Sequence, residues 1–284
     1  MIKRVTVRVP ASVSNLGPGF DCLGVAVRLY NFVRVERTVG TNRMAKVFDE
    51  AARRFFKRSR IRPFGFACAV RENLPRSRGL GSSATVRLGI LHGLNALSND
   101  RLDRDALFHL CAELEGHPDN AAPASFGGFT VARSEVVQRF DVSSRLKFVL
   151  LIPEHEVMTA EARRILPGNI KRVNAVKSCG DACAITAAFV SRNYRLLHGN
   201  FADQLHQPFR AKLIPYLGRV IKAAENAGAL GAFLSGSGST ICAVALDKPE
   251  AVRRAMTRAI SRMPARSVVV SADNHGVRLT QHKA

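Results

Sequence analysis

The segment Gly79-Leu80-Gly81-Ser82-Ser83-Ala84 constrains the fold more than any other stretch of the chain. An apolar run from Phe64 to Val70 reads as a strand, a polar connection from Asn73 to Arg78 follows, and an apolar helical pattern runs from Val86 to Leu97. Small residues feeding a helix leave its first backbone N–H groups uncovered, and the helix dipole adds positive potential at the same place. A strand–loop–helix unit of this kind suits phosphate. Ser82 and Ser83 add hydroxyls that can donate to phosphate oxygens or ligate a divalent cation, and Arg76 and Arg78 add charge. The plainer alternative is a loop whose serines only cap the helix.

Two well-defined phosphate loops can be weighed against this segment. A Walker loop requires Gly-Lys-Ser/Thr, and no lysine follows Gly81, so that reading is excluded. Gly79, Gly81 and Ala84 also match the dinucleotide fingerprint, with Asp100 near the expected distance. That fingerprint should follow its strand at once, whereas Asn73-Leu74-Pro75 and a basic stretch intervene here. The paired serines favour a mononucleotide.

Three further segments carry chemistry. Pro10 to Asp21 (PASVSNLGPGFD) holds a tight Gly-Pro-Gly turn, with Asn15 and Asp21 able to bind an ammonium or a hydroxyl, or simply to satisfy local backbone groups. In Ala232 to Thr240 (AFLSGSGST) a strand enters a glycine-serine loop that either closes over a ligand, braces the other two loops, or is a plain hairpin. Its spacing does not fit the Gly-x-Ser-x-Gly nucleophile elbow. Glu113 to Asn120 (ELEGHPDN) ends a helix on a turn carrying His117 and Asp119, and a carboxylate there could hold Mg²⁺. A lone histidine is more often structural.

Lys3 to Val9 alternates as a strand and Val25 to Val39 is extended. Thr41 or Asn42 would cap a helix presenting Met44, Val47, Phe48, Ala51 and Phe55 on one face until Pro63, and Asp103 caps another that runs to Glu115. Strands are expected at Phe129–Ala132 and Phe148–Ile152, and near 231–235, 240–246 and 267–271. Helices are expected near 159–166, 177–190, 212–227 and 249–262. The pattern predicts an α+β protein of two domains, 1–145 and 146–284.

With 284 residues, 46% of them apolar, the chain can bury its cores without disulfides. No hydrophobic run approaches a membrane span, and the first residues lack the features of a signal peptide, so the expected location is cytoplasmic. Six scattered cysteines read as small buried side chains; Cys179 and Cys183, four apart, would share one helix face. The formal charge of +21 permits a nucleic-acid role. Its arginines are spread along the chain, however, densest at Arg53–Arg62, without a basic tail or interleaved aromatic ladder. That distribution equally suits an enzyme of anionic small molecules, and it disfavours nucleic acid as the main partner.

Taken in order, PASVSNLGPGFDCLG (10–24), PRSRGLGSSAT (75–85), EGHPDNAAPASFGGF (115–129) and GAFLSGSGST (231–240) resemble the motifs of the GHMP kinases. Two shorter matches, Thr159 to Arg163 and His206 to Arg210 before Leu213-Ile214-Pro215, resemble the branch that acts on homoserine. The resemblance implies two α+β domains with the nucleotide between them. It also implies transfer of the ATP γ-phosphate to the side-chain hydroxyl of L-homoserine with Mg²⁺, in threonine biosynthesis. By the same analogy Pro75, Arg76, Ser77, Arg78 and Gly79 to Ala84 hold the nucleotide, and Ser83 and Glu113 hold the metal. Asn15, Asp21, His117, Thr159, Arg163 and Arg210 would bind the substrate, with Asp21, Ser83 and Arg163 closest to the chemistry. Mevalonate- or shikimate-type kinases are the neighbouring alternatives. The sequence permits a homodimer without requiring one. Thr85 and Arg87 stand where small apolar residues are expected, and Glu115 competes with Glu113 for the metal.

Overall fold

The computed structural model describes residues 3–40, 45–133, 136–260 and 263–281. Two antiparallel sheets organise it. The first contains β1 (Arg4–Ser14), β2 (Leu23–Arg37), β3 (Phe66–Arg71), β4 (Phe129–Arg133), β5 (Val136–Phe140) and β10 (Arg278–Gln281), in the order β10-β1-β2-β4-β5, with β3 also paired to β2. The second contains β6 (Lys147–Pro153), β7 (Gly231–Leu234), β8 (Ile241–Ala245) and β9 (Ala265–Ser271), in the order β7-β8-β6-β9. The expected division near residue 145 falls between β5 and β6, while β10 crosses back to pair with β1.

Long β2 serves two partners because its register against β1 shifts between Pro10 and Ala11. Beyond that bulge Phe32–Arg37 pairs with β3, and before it Leu23–Val25 pairs with β4. Helices α1 (Lys46–Ser59), α2 (Ser82–Ala96), α3 (Arg104–Glu115) and α4 (Ala121–Phe126) cover the first sheet through a core that includes Val5, Val33, Phe55, Leu88 and Phe108. A second core joins the two sheets, with Phe129 stacked on Phe189 at 4.2 Å. It recruits α6 (Arg172–Val190) and the 3₁₀ turn Tyr194–Leu197. A third core seats α8 (Leu217–Asn226) and α9 (Pro249–Ala259) on the second sheet. The short helices α5 (Thr159–Arg164) and α7 (Gln207–Arg210) lie by the cleft described below.

Asp103 caps α3 as expected, its carboxylate accepting from the Ala106 amide at 2.7 Å. The expected caps Thr41 and Asn42, with Met44, lie outside the described residues, as do 261–262 at the expected end of α9. Helix α2 starts three residues earlier than the hydrophobic pattern suggests, directly on Gly81. The cysteines depart from the buried reading: Cys111 and Cys242 are buried, but Cys22, Cys179 and Cys183 are exposed.

One fully buried side chain ties the connection before α2 to the sheet. Asn31 accepts from the amides of Asn73 (2.9 Å) and Leu74 (3.1 Å) and donates to the Thr85 hydroxyl (2.9 Å). Thr85, at a position expected to be apolar, is therefore satisfied, since it also donates to the Ser82 carbonyl at 2.7 Å. Asn31→Ala strands those donors; it should cost about 2–3 kcal/mol in urea unfolding. A loss below ~0.5 kcal/mol would contradict this reading.

Candidate active site

A cleft of about 280 Å³ lies where the two sheets meet. Its floor is the glycine-serine segment. Gly79 and Gly81 have φ of +71° and +67°, and Gly81 stands immediately before the first turn of α2. A Cβ on Gly79 would lie 2.0 Å from the Ser235 carbonyl oxygen, and one on Gly81 would lie 2.2 Å from Ser12 Oγ. The three glycine segments are cross-tied. Ser235 Oγ donates to the Gly79 carbonyl (2.6 Å), the Thr240 amide to Arg78 (3.1 Å), the Ser12 amide to Leu80 (3.2 Å), and the Gly236 amide to Ser14 (3.2 Å). The third segment is thus a brace, one of the alternatives open from the sequence.

Of the stretch expected to hold nucleotide, Ser77, Arg78, Gly79, Gly81, Ser82 and Ser83 line the cleft. Pro75, Arg76, Leu80 and Ala84 do not. Arg76 is exposed and paired with Glu72, while Leu80 and Ala84 are buried in the cores. Arg78 reaches the cleft wall, but its guanidinium is committed elsewhere. It donates to the carbonyls of Pro153 (2.8 Å), Arg76 (3.0 Å) and Glu154, and pairs with Glu156 at 3.2 Å. Its role here is to fasten the loop to the end of β6.

Glu113 is a correction. It sits outside the cleft, exposed and 3.7 Å from Arg54. Glu115 takes its place, accepting from Ser83 Oγ at 2.7 and 2.6 Å and from Arg87. Two residues on a helix lie on nearly opposite faces, so only one of the pair can face α2. Cys111, fully buried one turn earlier, marks the inward side. Arg87 lies one turn beyond Ser83 and so shares its face. Glu115 and Arg87 side chains are 8% and 16% exposed, and the Arg87 Nε is buried without a partner. The Ser83 hydroxyl and Glu115 carboxylate form an all-oxygen set that fits a hard divalent cation sharing phosphate ligands.

The other end of the cleft gathers every residue expected at a substrate: Asn15, Asp21, His117, Thr159, Arg163 and Arg210. The Arg163 guanidinium grips Asp21 with two bonds of 3.0 and 2.6 Å. The bond to Asp21 raises its pKa further. Asn15 accepts from the Asp21 amide (3.0 Å) and donates to the Gly236 carbonyl (3.2 Å). Thr159 and Ser237 hydroxyls stand 3.4 Å apart. His117 Nδ1 meets Asp119, whose carboxylate is almost wholly buried. Burial alone would lower the His117 pKa, but the bond to Asp119 and its charge prevail and raise it. Burial likewise opposes ionisation of Asp119, yet His117 outweighs it and lowers that pKa. Single ligand atoms of Asp21, His117 and Asp119 all lie within 4.8 Å of one another, an acidic corner facing the arginines. Asp119 and Asn120 are cleft residues that sequence reasoning did not select. Asn120 is placed by Ser12 (2.8 Å) and Ser14 (3.1 Å).

Arg210 is 2% exposed and donates to the carbonyls of Ala162 (3.1 Å) and Gly236 (2.9 Å), and to His206 Nδ1 (3.2 Å). Burial, then the nearby Arg163, lowers its pKa to about 10, so it stays charged at neutral pH. His206 Nε2 donates to the Gly17 carbonyl at 2.9 Å, which leaves Nδ1 as the acceptor and the ring neutral. Burial lowers its pKa to about 4. A depressed folded pKa means stability is intact above the ordinary value of 6.5 and lost as pH falls toward 4. Thermal unfolding should therefore show a loss on the order of 3 kcal/mol over that interval, shrinking in His206→Gln. An unchanged slope in the variant would contradict the neutral assignment.

In one cleft, then, bare amides at a helix start and a hydroxyl–carboxylate pair adjoin a corner with both an acid and fixed arginines. The first half suits a polyphosphate with its cation, and the second a small zwitterion. The sequence matches the family models "GHMP kinases N terminal domain" over residues 42–128 and "GHMP kinases C terminal" over residues 185–262. A homoserine kinase of Caldicellulosiruptor bescii is 36% identical across 96% of this chain and 95% of its own length. One from Prochlorococcus marinus is 36% identical across 90% and 89%. The chain belongs to the homoserine kinase family of the GHMP kinases. The crystal structure of a homoserine kinase from Cytophaga hutchinsonii superposes with a TM-score of 0.91 at 27% identity, covering 99% of this chain and 98% of that one. A mevalonate kinase shares the fold, with a TM-score of 0.72 at 17% identity over 95% and 99% of the two chains. Both the expected α+β fold and the GHMP resemblance hold. Among the described residues no helix is long and apolar enough to cross a membrane.

Proposed function

We propose that this GHMP kinase transfers the γ-phosphoryl group of ATP to the side-chain hydroxyl of L-homoserine, with Mg²⁺ as the divalent cation. The observation that carries the reading is the adjacency just described, an anion-binding helix start and a bidentate Asp21–Arg163 pair in one cleft. The curated relatives, named for homoserine, support the same substrate. Residues 1–145 and 146–284 are the two working domains, and the chain acts in the cytoplasm.

In this reading the amides from Gly79 to Ser83 receive the triphosphate. Mg²⁺, held by Ser83 and Glu115, would neutralise charge on the transferring group. Arg87 adds a second fixed cation beside it. Arg163 and Arg210 receive the substrate carboxylate, and the acidic corner of Asp21 and Asp119 receives the ammonium and orients the hydroxyl. Asp21 is the carboxylate placed to take the hydroxyl proton, while Asn15, His117 and Thr159 fix the substrate's remaining polar groups. Phosphoryl transfer asks little more of a protein than positioning and charge neutralisation.

The test is a coupled ADP-release assay over homoserine, mevalonate, shikimate and serine, with and without Mg²⁺. Homoserine alone should turn over, and chelation should stop it. Turnover of mevalonate without homoserine would overturn the substrate assignment.

A further inference from the structure

Helix α6 is apolar on two sides, and a single chain covers only one of them. Ser178, Ile185, Ala188 and Phe189 face inward, the last three within the core between the sheets. On the opposite side Val173, Val176, Gly180, Cys183, Ala187 and Val190 are all exposed. Val173 and Val176 retain 70% and 65% of their surface. Their spacing alternates three and four residues throughout, the seam on which two helices interlock. A helix apolar on both sides is built to be buried on both.

We propose that this seam is the contact between two copies of the chain, α6 lying antiparallel on α6 about a two-fold axis between residues 181 and 182. That axis sets Val173 against Val190, Val176 against Ala187, and Gly180 against Cys183, so larger side chains meet larger or smaller ones and the small middle lets the backbones approach. Charge selects the occupant. A chain of +21 repels its own copy, and the outward faces of α1 and α9 carry Arg53, Arg54, Lys57, Arg253, Arg254 and Arg258. The α6 seam carries no charged residue, so it is a face on which like-charged copies can meet. It also offers nothing to nucleic acid, and it lacks the large anchors and basic flank of a membrane-surface helix. Ile170 and Leu196, exposed by 37% and 55%, flank it in sequence. With them the patch offers roughly 600 Å² per copy, hence about 1,200 Å² for the pair, the lower end of stable interfaces. The contact also gives exposed Cys179 and Cys183 a covered place.

Sedimentation of the full chain at micromolar concentration should give a species of twice the chain mass. Val176→Glu buries a charge in the seam and should weaken association by at least ~100-fold with an unchanged circular dichroism spectrum. Arg254→Glu on α9 should leave it intact. A short bis-maleimide should yield a covalent dimer that disappears in the Cys179→Ser/Cys183→Ser double variant. A monomer at 100 μM, or a dimer indifferent to Val176→Glu, overturns the proposal. So does a monomer whose binding to anionic phospholipid vesicles is lost in Val176→Glu, which would assign the seam to a membrane surface.

Discussion

Gly79→Ala should reduce kcat/KM for ATP by at least ~100-fold, with nucleotide binding by calorimetry falling in parallel. At φ +71° an L-residue costs about 1–2 kcal/mol by itself. The larger effect is steric. The new methyl would lie 2.0 Å from the Ser235 carbonyl oxygen and 2.9 Å from the Gly238 amide, both backbone atoms that cannot rotate aside. Relief requires the loop or its brace to move, and the two are fastened by the Ser235–Gly79 and Thr240–Arg78 bonds. The amides at the start of α2 then lose their convergence on one point, which is the whole basis of an anion site there. An alanine variant within threefold of the parent would mean that the phosphates bind elsewhere.

Arg163→Ala should lower kcat/KM for homoserine by roughly 100- to 1,000-fold, about 3–4 kcal/mol, while KM for ATP changes little. Two losses combine. The planar fork that would meet the substrate carboxylate is gone, and Asp21 is left beside Asp119 without its nearest cation. Lysine cannot reproduce the two-bond geometry, so Arg163→Lys should recover only a small part. A homoserine KM unchanged in Arg163→Ala would remove this arginine from the substrate corner.

Much of the cleft was legible in the sequence because glycine, a helix start and a capping aspartate announce backbone geometry locally. Asp103 and Gly79 to Ser83 are of that kind. What escaped depends on partners distant in the chain. Strand β10, Arg278–Gln281, is four residues without alternation and exists as a strand through its pairing with β1. Helix α4 spans only six residues with a proline inside, too short for a periodic pattern. The choice of Glu115 over Glu113 was within reach, since Glu115 follows buried Cys111 by four residues and Glu113 does not. Arg78 was misread for a different reason. Its charge suggested phosphate, but its donors are taken by the carbonyls at the end of β6, a pairing no local signal reveals. The exposed seam of α6 was half visible as the Cys179/Cys183 spacing, but only the fold tells which face of that helix the core takes.

A crystal structure with a non-hydrolysable ATP analogue, Mg²⁺ and homoserine tests the central claim most directly. The account predicts phosphate oxygens within hydrogen-bond distance of the amides between Gly79 and Ser83, and the amino acid between Asp21 and Arg163. A triphosphate bound away from that loop, with Ser83 still closed on Glu115, would contradict it.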